Sequence, residues 1–311
     1  MRPLTMFERA LFVDQGRTPV TGVLVVRIRG QIEESRLRQA LLRLQEKRAL
    51  LRSLIVEKQG RPHFVVHTPP PPISLRIAER TSDEDWLRES REEWDRLFDA
   101  GREPLIRFTW LRGGKISELM LAGHHCIGDG RSFMLIMRNL LQFLDQPEHE
   151  LGMVDDLRPM SDWLPDGVQH DRRLRRRIRT KAALINLVAR CWRGSTHRTY
   201  GKPYLVHWEM PAGLVSALNK RCRQEHVSLF AVLAAAFMLA FRKMYGRRGI
   251  SKVMAPVDPR GFLRKVGMDA FFAMAPTAKL SPRLSRAGSD IWALARWSQD
   301  NLAKQIRRMG P

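Results

Sequence analysis

The sequence predicts an α/β fold in which a mixed sheet carries packed helices, with the same strand–helix–strand pattern in both halves of the chain. Three observations lead there. Short runs of β-branched and apolar residues alternate with longer runs of helical spacing. Glycine or proline marks most of the breaks between them. No apolar run reaches the roughly 18 residues that would suggest a membrane span.

In chain order, residues 22–29, GVLVVRIR, read as a strand ending at Gly30. A helix follows over 33–51, with Leu37, Ala40, Leu41, Leu44 and Leu51 at helical intervals. LRSLIVEKQGRPHFVVH reads as a hairpin turning near Gly60, and the prolines of TPPPP (68–72) break the chain after it. Residues 83–98 form an acidic amphipathic helix, with Trp86, Trp94, Leu97 and Phe98 expected near its apolar side. PLIRFTWLRGGKISELMLAG is a second hairpin, with its turn at Gly113 and Gly114. A largely buried helix is expected over 132–144.

Residues 147–170 are polar and loop-like. In 171–193, Leu174, Ile178, Ala182, Ile185 and Trp192 recur at near-helical intervals between arginines. The remaining elements are a strand YLVHWEM (204–210), helices over 212–224 and 228–244, strands over 250–260 and 271–280, and a helix over 289–307. Ser228 stands where it would cap the second of those helices.

Composition narrows the function classes. The net charge of +22 is confined to one part of the chain: residues 1–170 carry 25 Lys and Arg against 25 Asp and Glu, and residues 171–311 carry 29 against 7. Such an asymmetry suggests an anionic partner for the second half. No nucleic-acid-binding motif accompanies the basic residues, so nucleic acid is not the expected partner. Cys126, Cys191 and Cys222 are isolated and give neither a disulfide framework nor a metal-like spacing, which fits a reducing, cytoplasmic compartment. The N-terminus lacks the cleavage site of a signal peptide.

The stretch LMLAGHHCIGDGRS, residues 119–132, carries the chemistry. Histidine titrates nearest neutrality and is the default group for proton transfer. Successive strand residues point to opposite faces, so His124 and His125 cannot both reach one substrate. Gly128 and Gly130 permit a tight turn that can bring Asp129 back beside the strand end. A carboxylate there could fix a histidine's orientation or hold the loop through a distant cation. No third ligand suggests a zinc site.

HHCIGDG fits the HHxxxDG motif, and the chain resembles the chloramphenicol acetyltransferase-like superfamily, which includes condensation domains, BAHD acyltransferases, wax ester synthases and polyketide-associated acyltransferases. RALLRS, FDAGREPLIRFTWL, VSLFAVLAAAFMLAF and MAPVDPR resemble further family elements, in order, from about residue 3 to 280. Arg131 replaces an aromatic residue common after Asp-Gly, and no Asp-Phe-Gly-Trp-Gly element is present. The resemblance implies the chloramphenicol acetyltransferase-like fold: a two-layer mixed-sheet architecture of two similar halves, the second incomplete. It further implies a motif-bearing subdomain over 1–165, a basic crossover over 166–200 and a partial second subdomain over 201–311.

By the same resemblance the chain is an acyltransferase with His125 as general base, moving an acyl group from a thioester to a hydroxyl or amine. Asp129 would pair with Arg260, Gly130 would keep the turn tight, Ser132 matches a common serine, and His124 would be structural. No cofactor is bound permanently, no metal is implied, and the co-substrate is acyl-CoA or acyl-phosphopantetheine on an acidic carrier protein. The expected alternative is a catalytically silent module of the same fold. Residues 172–193 are expected to dock on that carrier or on an anionic inner-membrane surface, as an amphipathic helix.

Overall fold

The computed structural model describes residues 1–12, 20–152, 157–158, 160–163, 170–174, 176–180, 204–246, 252–263, 267, 269–273, 276–282 and 290–309. The chain divides into two compact units. The first comprises Met1–Leu205 together with Leu263–Met274, and the second Val206–Phe262 with Ala275–Pro311.

The first unit holds β1 (Arg2–Pro3), α1 (Met6–Phe12), β2 (Thr21–Arg29), α2 (Glu34–Lys47), β3 (Ser53–Lys58), β4 (Arg61–Val66), β5 (Ser74–Glu79), α3 (Asp85–Asp95), β6 (Ile106–Arg112), β7 (Ile116–His124) and α4 (Gly130–Asp145). Its main sheet runs β2-β7-β6-β5 and is mixed, because β5 lies parallel to β6 while the other pairs are antiparallel. A second sheet runs β1-β4-β3. The expected helix over 33–51 stops at Lys47, and Ala49–Arg52 form a 3-10 turn that leads into β3.

Register assigns the faces of the main sheet. Gly22, Leu24 and Val26 stand opposite Gly123, Leu121 and Leu119. These residues face α4, whose Phe133 ring fills the room left by the two glycines: a Cβ at Gly22 or Gly123 would meet it at 2.6 or 2.7 Å. Leu37, Leu44, Phe108, Trp110, Ile136 and Leu140 extend this core, all at most 2% exposed.

The other face meets α3, and here the expectation for 83–98 needs correction. Trp94 and Leu97 are exposed, and the side chains buried on α3 are Asp85, Glu89, Ser90 and Glu93. The sheet beneath supplies the reason, because among its apolar residues it presents Arg76 and Arg107 to the helix. Glu93 accepts from Arg107 and, at 3.1 Å, from Thr109, while Arg76 donates to Glu89. Glu118 on β7 accepts from Arg27 and Arg80, each at 2.8 Å. Burial opposes ionisation of Glu93, but Arg107 and Thr109 outweigh it and hold the carboxyl below its usual range. A helical pattern of carboxylates thus marks an inward face when the opposing strands carry cations.

The second unit contains α5 (Ala212–Gln224), α6 (Leu229–Tyr245), β8 (Val253–Pro256), β9 (Thr277–Leu280) and α7 (Ile291–Met309). Ser228 Oγ accepts from the Ala231 N–H at 3.3 Å, the cap that the sequence suggests. Ala231, Val232, Ala235 and Met238 of α6 pack with Leu294 and Ala295 of α7. Two strands are shorter than expected, with β8 and β9 pairing antiparallel over four residues each. Residues 204–210 form no strand: β-propensity specifies an extended backbone, but a ladder needs a neighbour, and none pairs with them among the described residues.

Of the basic segment, 172–174 and 176–180 are helical and mostly exposed, and Asp171 accepts from the N–H groups of Arg173 and Leu174. The remainder of the expected amphipathic helix, 181–193, lies outside the described residues. Among the described residues no single helix is long and apolar enough to cross a membrane.

Candidate active site

The motif begins where β7 ends. His124 is the last residue of β7, opposite Thr21, and its N–H donates to Leu105 at 2.9 Å. Its side chain leaves on the α3 face and is 2% exposed. There it meets the edges of Phe12 and Phe98, with ring centroids at 6.2 Å from each. Its Nδ1 accepts from the Cys126 N–H at 3.1 Å, which leaves the proton of the neutral ring on Nε2. Burial, with a smaller contribution from the neighbouring His125, pulls the His124 pKa down to about 4.

His125 is the first residue past the strand and is only half-buried. Its N–H donates to Val20 at 2.8 Å. The peptide that follows is held by the Cys126-to-His124 bond, and Ile127 N–H donates to the His124 carbonyl at 3.0 Å. His125 therefore has anchored backbone on both sides and a ring 5.9 Å from Phe133, on the α4 side. The two histidines leave the strand end in different directions, as pleat geometry requires. Cys126 is fully buried, and burial raises its thiol well above the usual range, so it does not serve as a nucleophile.

Asp129 caps α4. Its Oδ1 accepts from the Ser132 N–H at 2.8 Å and from the Ser132 hydroxyl at 2.7 Å. The close approach in this turn falls on Gly128 rather than on Gly130. A Cβ at Gly128 would stand 2.8 Å from Ser132 Cβ and 3.2 Å from the Phe271 ring, whereas one at Gly130 would meet nothing within 4 Å. Gly130 opens α4 in ordinary helical geometry, so the expected tightness of the turn does not come from that glycine.

Residues 271–272 are the part of the site that the sequence did not reveal. They were expected in a strand, but β9 starts only at Thr277. The Phe272 carbonyl accepts from the Asp129 N–H at 3.2 Å, and the Phe272 N–H donates to Ser132 Oγ at 3.3 Å. Phe271 is buried in the core of the first unit, with the Arg48 guanidinium 5.1 Å above its ring. Arg48, the first residue of RALLRS, also donates to Asn139 on α4 at 2.9 Å. The adjacent aromatics at 271–272 were the available signal, because a strand with one buried face rarely needs two in succession.

Arg260 lies in the second unit, in a 3-10 turn rather than in a strand. It is buried, and its Nη1 stands 3.0 Å from Asp258 Oδ1. No cluster of side chains that could hold a metal ion occurs among the described residues.

Residues 14–164 match the Condensation domain family. The chain is 27% identical over 285 residues to cyclosporin synthetase simA of Tolypocladium inflatum, covering 85% of this chain and 2% of that protein. It is 21% identical over 261 residues to bacitracin synthase 2 of Bacillus licheniformis, covering 80% of this chain and 10% of that protein. It thus spans a small fraction of either relative. Among solved structures, the first condensation domain of the calcium-dependent antibiotic synthetase aligns with a TM-score of 0.72 at 18% identity, over 99% of this chain and 76% of that one. Polyketide synthase associated protein 5 of Mycobacterium tuberculosis aligns with a TM-score of 0.64 at 18% identity, over 99% and 73%. Over residues 14–164 the chain matches the Condensation domain family, and over nearly its whole length it shares the fold of a solved condensation domain.

Proposed function

We propose that the chain catalyses acyl transfer from a phosphopantetheine thioester, borne by a carrier protein, to an amine or hydroxyl, with His125 as general base. The observation that carries this is the contrast between the two histidines. His124 is buried and held neutral, whereas His125 stands half-exposed on a backbone anchored on both sides. A neutral imidazole at that position can take the proton of the acceptor as its nitrogen or oxygen attacks the thioester carbonyl. When the C–S bond breaks, the same imidazole returns a proton to the thiolate. No acyl-enzyme is required, because the thioester arrives activated.

The donor is assigned to a carrier protein rather than to free coenzyme A because the matched relatives include nonribosomal peptide synthetases. The exposed basic helix over 172–174 and 176–180 supports an acidic protein partner. Asp129, with Gly128 and Ser132, would fix the loop behind His125. The subdomain division at 165 and 200 remains part of this proposal.

The test is thiol release from a panel of acyl thioesters, presented both on coenzyme A and on phosphopantetheinylated carrier proteins, with amine and alcohol acceptors. Release that requires His125 and is faster with carrier-borne donors supports the assignment. Salt-sensitive carrier binding without release from any donor would instead identify a silent binding module.

A further inference from the structure

Val206, Trp208 and Met210 are 64%, 64% and 40% exposed, an uncommon density of large apolar side chains over five residues. Among the described residues, the backbone N–H and C=O groups of these three have no hydrogen-bond partner. The stretch has strand composition and alternation, yet takes no place in a sheet. An apolar face beside unsatisfied backbone is a template for an added strand.

The stretch is also complementary to itself. In an antiparallel pair centred on Trp208, Trp208 meets Trp208, Val206 meets Met210 and His207 meets Glu209. If Trp208 occupies a hydrogen-bonded pair, so do Val206 and Met210, the residues with unpartnered backbone. Pro211 then falls opposite Leu205 in a non-hydrogen-bonded pair, where its missing N–H costs nothing. Centring on His207 instead would set imidazole against imidazole and Glu209 against Leu205. Within one chain His207 and Glu209 already share a face, with Nε2 and Oε1 4.0 Å apart. The pairing about Trp208 adds a second carboxylate opposite each imidazole.

We propose that residues 206–210 pair antiparallel with the same residues of a second copy of this chain, giving a two-fold dimer centred on Trp208. Such a contact is isologous and closes on itself. The basic excess of residues 171–311 opposes bringing two copies together, so added salt strengthens the dimer by screening.

Sedimentation velocity on the full chain across a concentration series tests this directly. The expected result is a dimer that is favoured by salt and lost in Val206→Lys and in Met210→Lys, with unchanged circular dichroism. A second measurement reads the register. In a Cys191→Ser background, Trp208→Cys is expected to form an intermolecular disulfide, because hydrogen-bonded antiparallel partners lie about 5.5 Å apart at Cα. His207→Cys, which faces Glu209 rather than itself, is expected not to do so. A monomer at every concentration and salt level would overturn the proposal. So would a dimer unaffected by the lysine variants, or one in which His207→Cys cross-links as readily as Trp208→Cys.

Discussion

Ser132 and Phe272, separated by 140 residues in sequence, are joined at the motif: the Phe272 N–H donates to Ser132 Oγ at 3.3 Å while the Ser132 hydroxyl donates to Asp129 Oδ1 at 2.7 Å. The Asp129 N–H closes the ring by donating to the Phe272 carbonyl at 3.2 Å. Three groups on the turn after His125 are thereby satisfied by one another and by a segment from late in the chain. Ser132→Ala removes one donor and one acceptor in a fully buried position. It is expected to cost about 1–3 kcal/mol in urea unfolding, the range for leaving buried polar groups unsatisfied. A loss below about 0.5 kcal/mol would show that the ring is not structural.

The glycines of the motif should separate by stability. Gly128→Ala forces a Cβ against Ser132 and Phe271 and is expected to destabilise by about 1–3 kcal/mol. Gly130→Ala enters open space in the first turn of a helix and is expected to leave stability unchanged or slightly raised. Thermal unfolding of the two variants side by side checks this. Lost turnover in Gly130→Ala with full stability would mean that the open space there is used by substrate.

His124 should make the fold acid-sensitive. Its folded pKa of about 4 lies below the ordinary imidazole value, so the unfolded chain takes up the proton first as pH falls. Its stabilising contribution is complete above about pH 6.5 and is lost between there and about pH 4, on the order of 3 kcal/mol in all. His124→Asn retains an acceptor for the Cys126 N–H without a titrating group. The difference in denaturant midpoint between wild type and this variant should therefore shrink across that window. His125→Ala, by contrast, is expected to fold normally and to lose turnover by roughly 100-fold or more.

Asp129 and Arg260 are proposed to pair, as the family resemblance implies. Asp129→Asn and Arg260→Gln should each lower stability, and the double variant should lose much less than their sum. Strictly additive losses in a double-mutant cycle would rule the pairing out.

Glu93 and Arg107 form a buried pair between α3 and the sheet. Glu93→Gln leaves the Arg107 charge uncompensated and is expected to cost about 3–5 kcal/mol, whereas Glu93→Leu with Arg107→Met should cost far less than the two changes separately. Guanidinium unfolding of Glu93→Gln, of the two single changes and of their combination decides between these outcomes.

Local pattern was enough for most elements of the first unit. GVLVVRIR, the hairpin at Gly60, the hairpin at Gly113 and the helix after the motif all appear within a few residues of expectation. Their signals are side-chain periodicity and glycine turns, which are encoded within a few neighbouring residues. The adjacency of His124 and His125 likewise determined that they leave the strand end in different directions, since the pleat alternates. Three matters depended on residues distant in sequence, and only the tertiary structure decided them. The inward carboxylates of α3 depend on arginines of β5 and β6, so composition alone misplaced Trp94 and Leu97. Gly128, rather than Gly130, is the glycine at which a Cβ would clash, and beside the nearby Ser132 Cβ at 2.8 Å the crowding includes the ring of Phe271 at 3.2 Å, 143 positions along the chain. Residues 204–210 have every local property of a strand and form none, because a strand is completed by hydrogen bonds to a neighbour that no local sequence can supply.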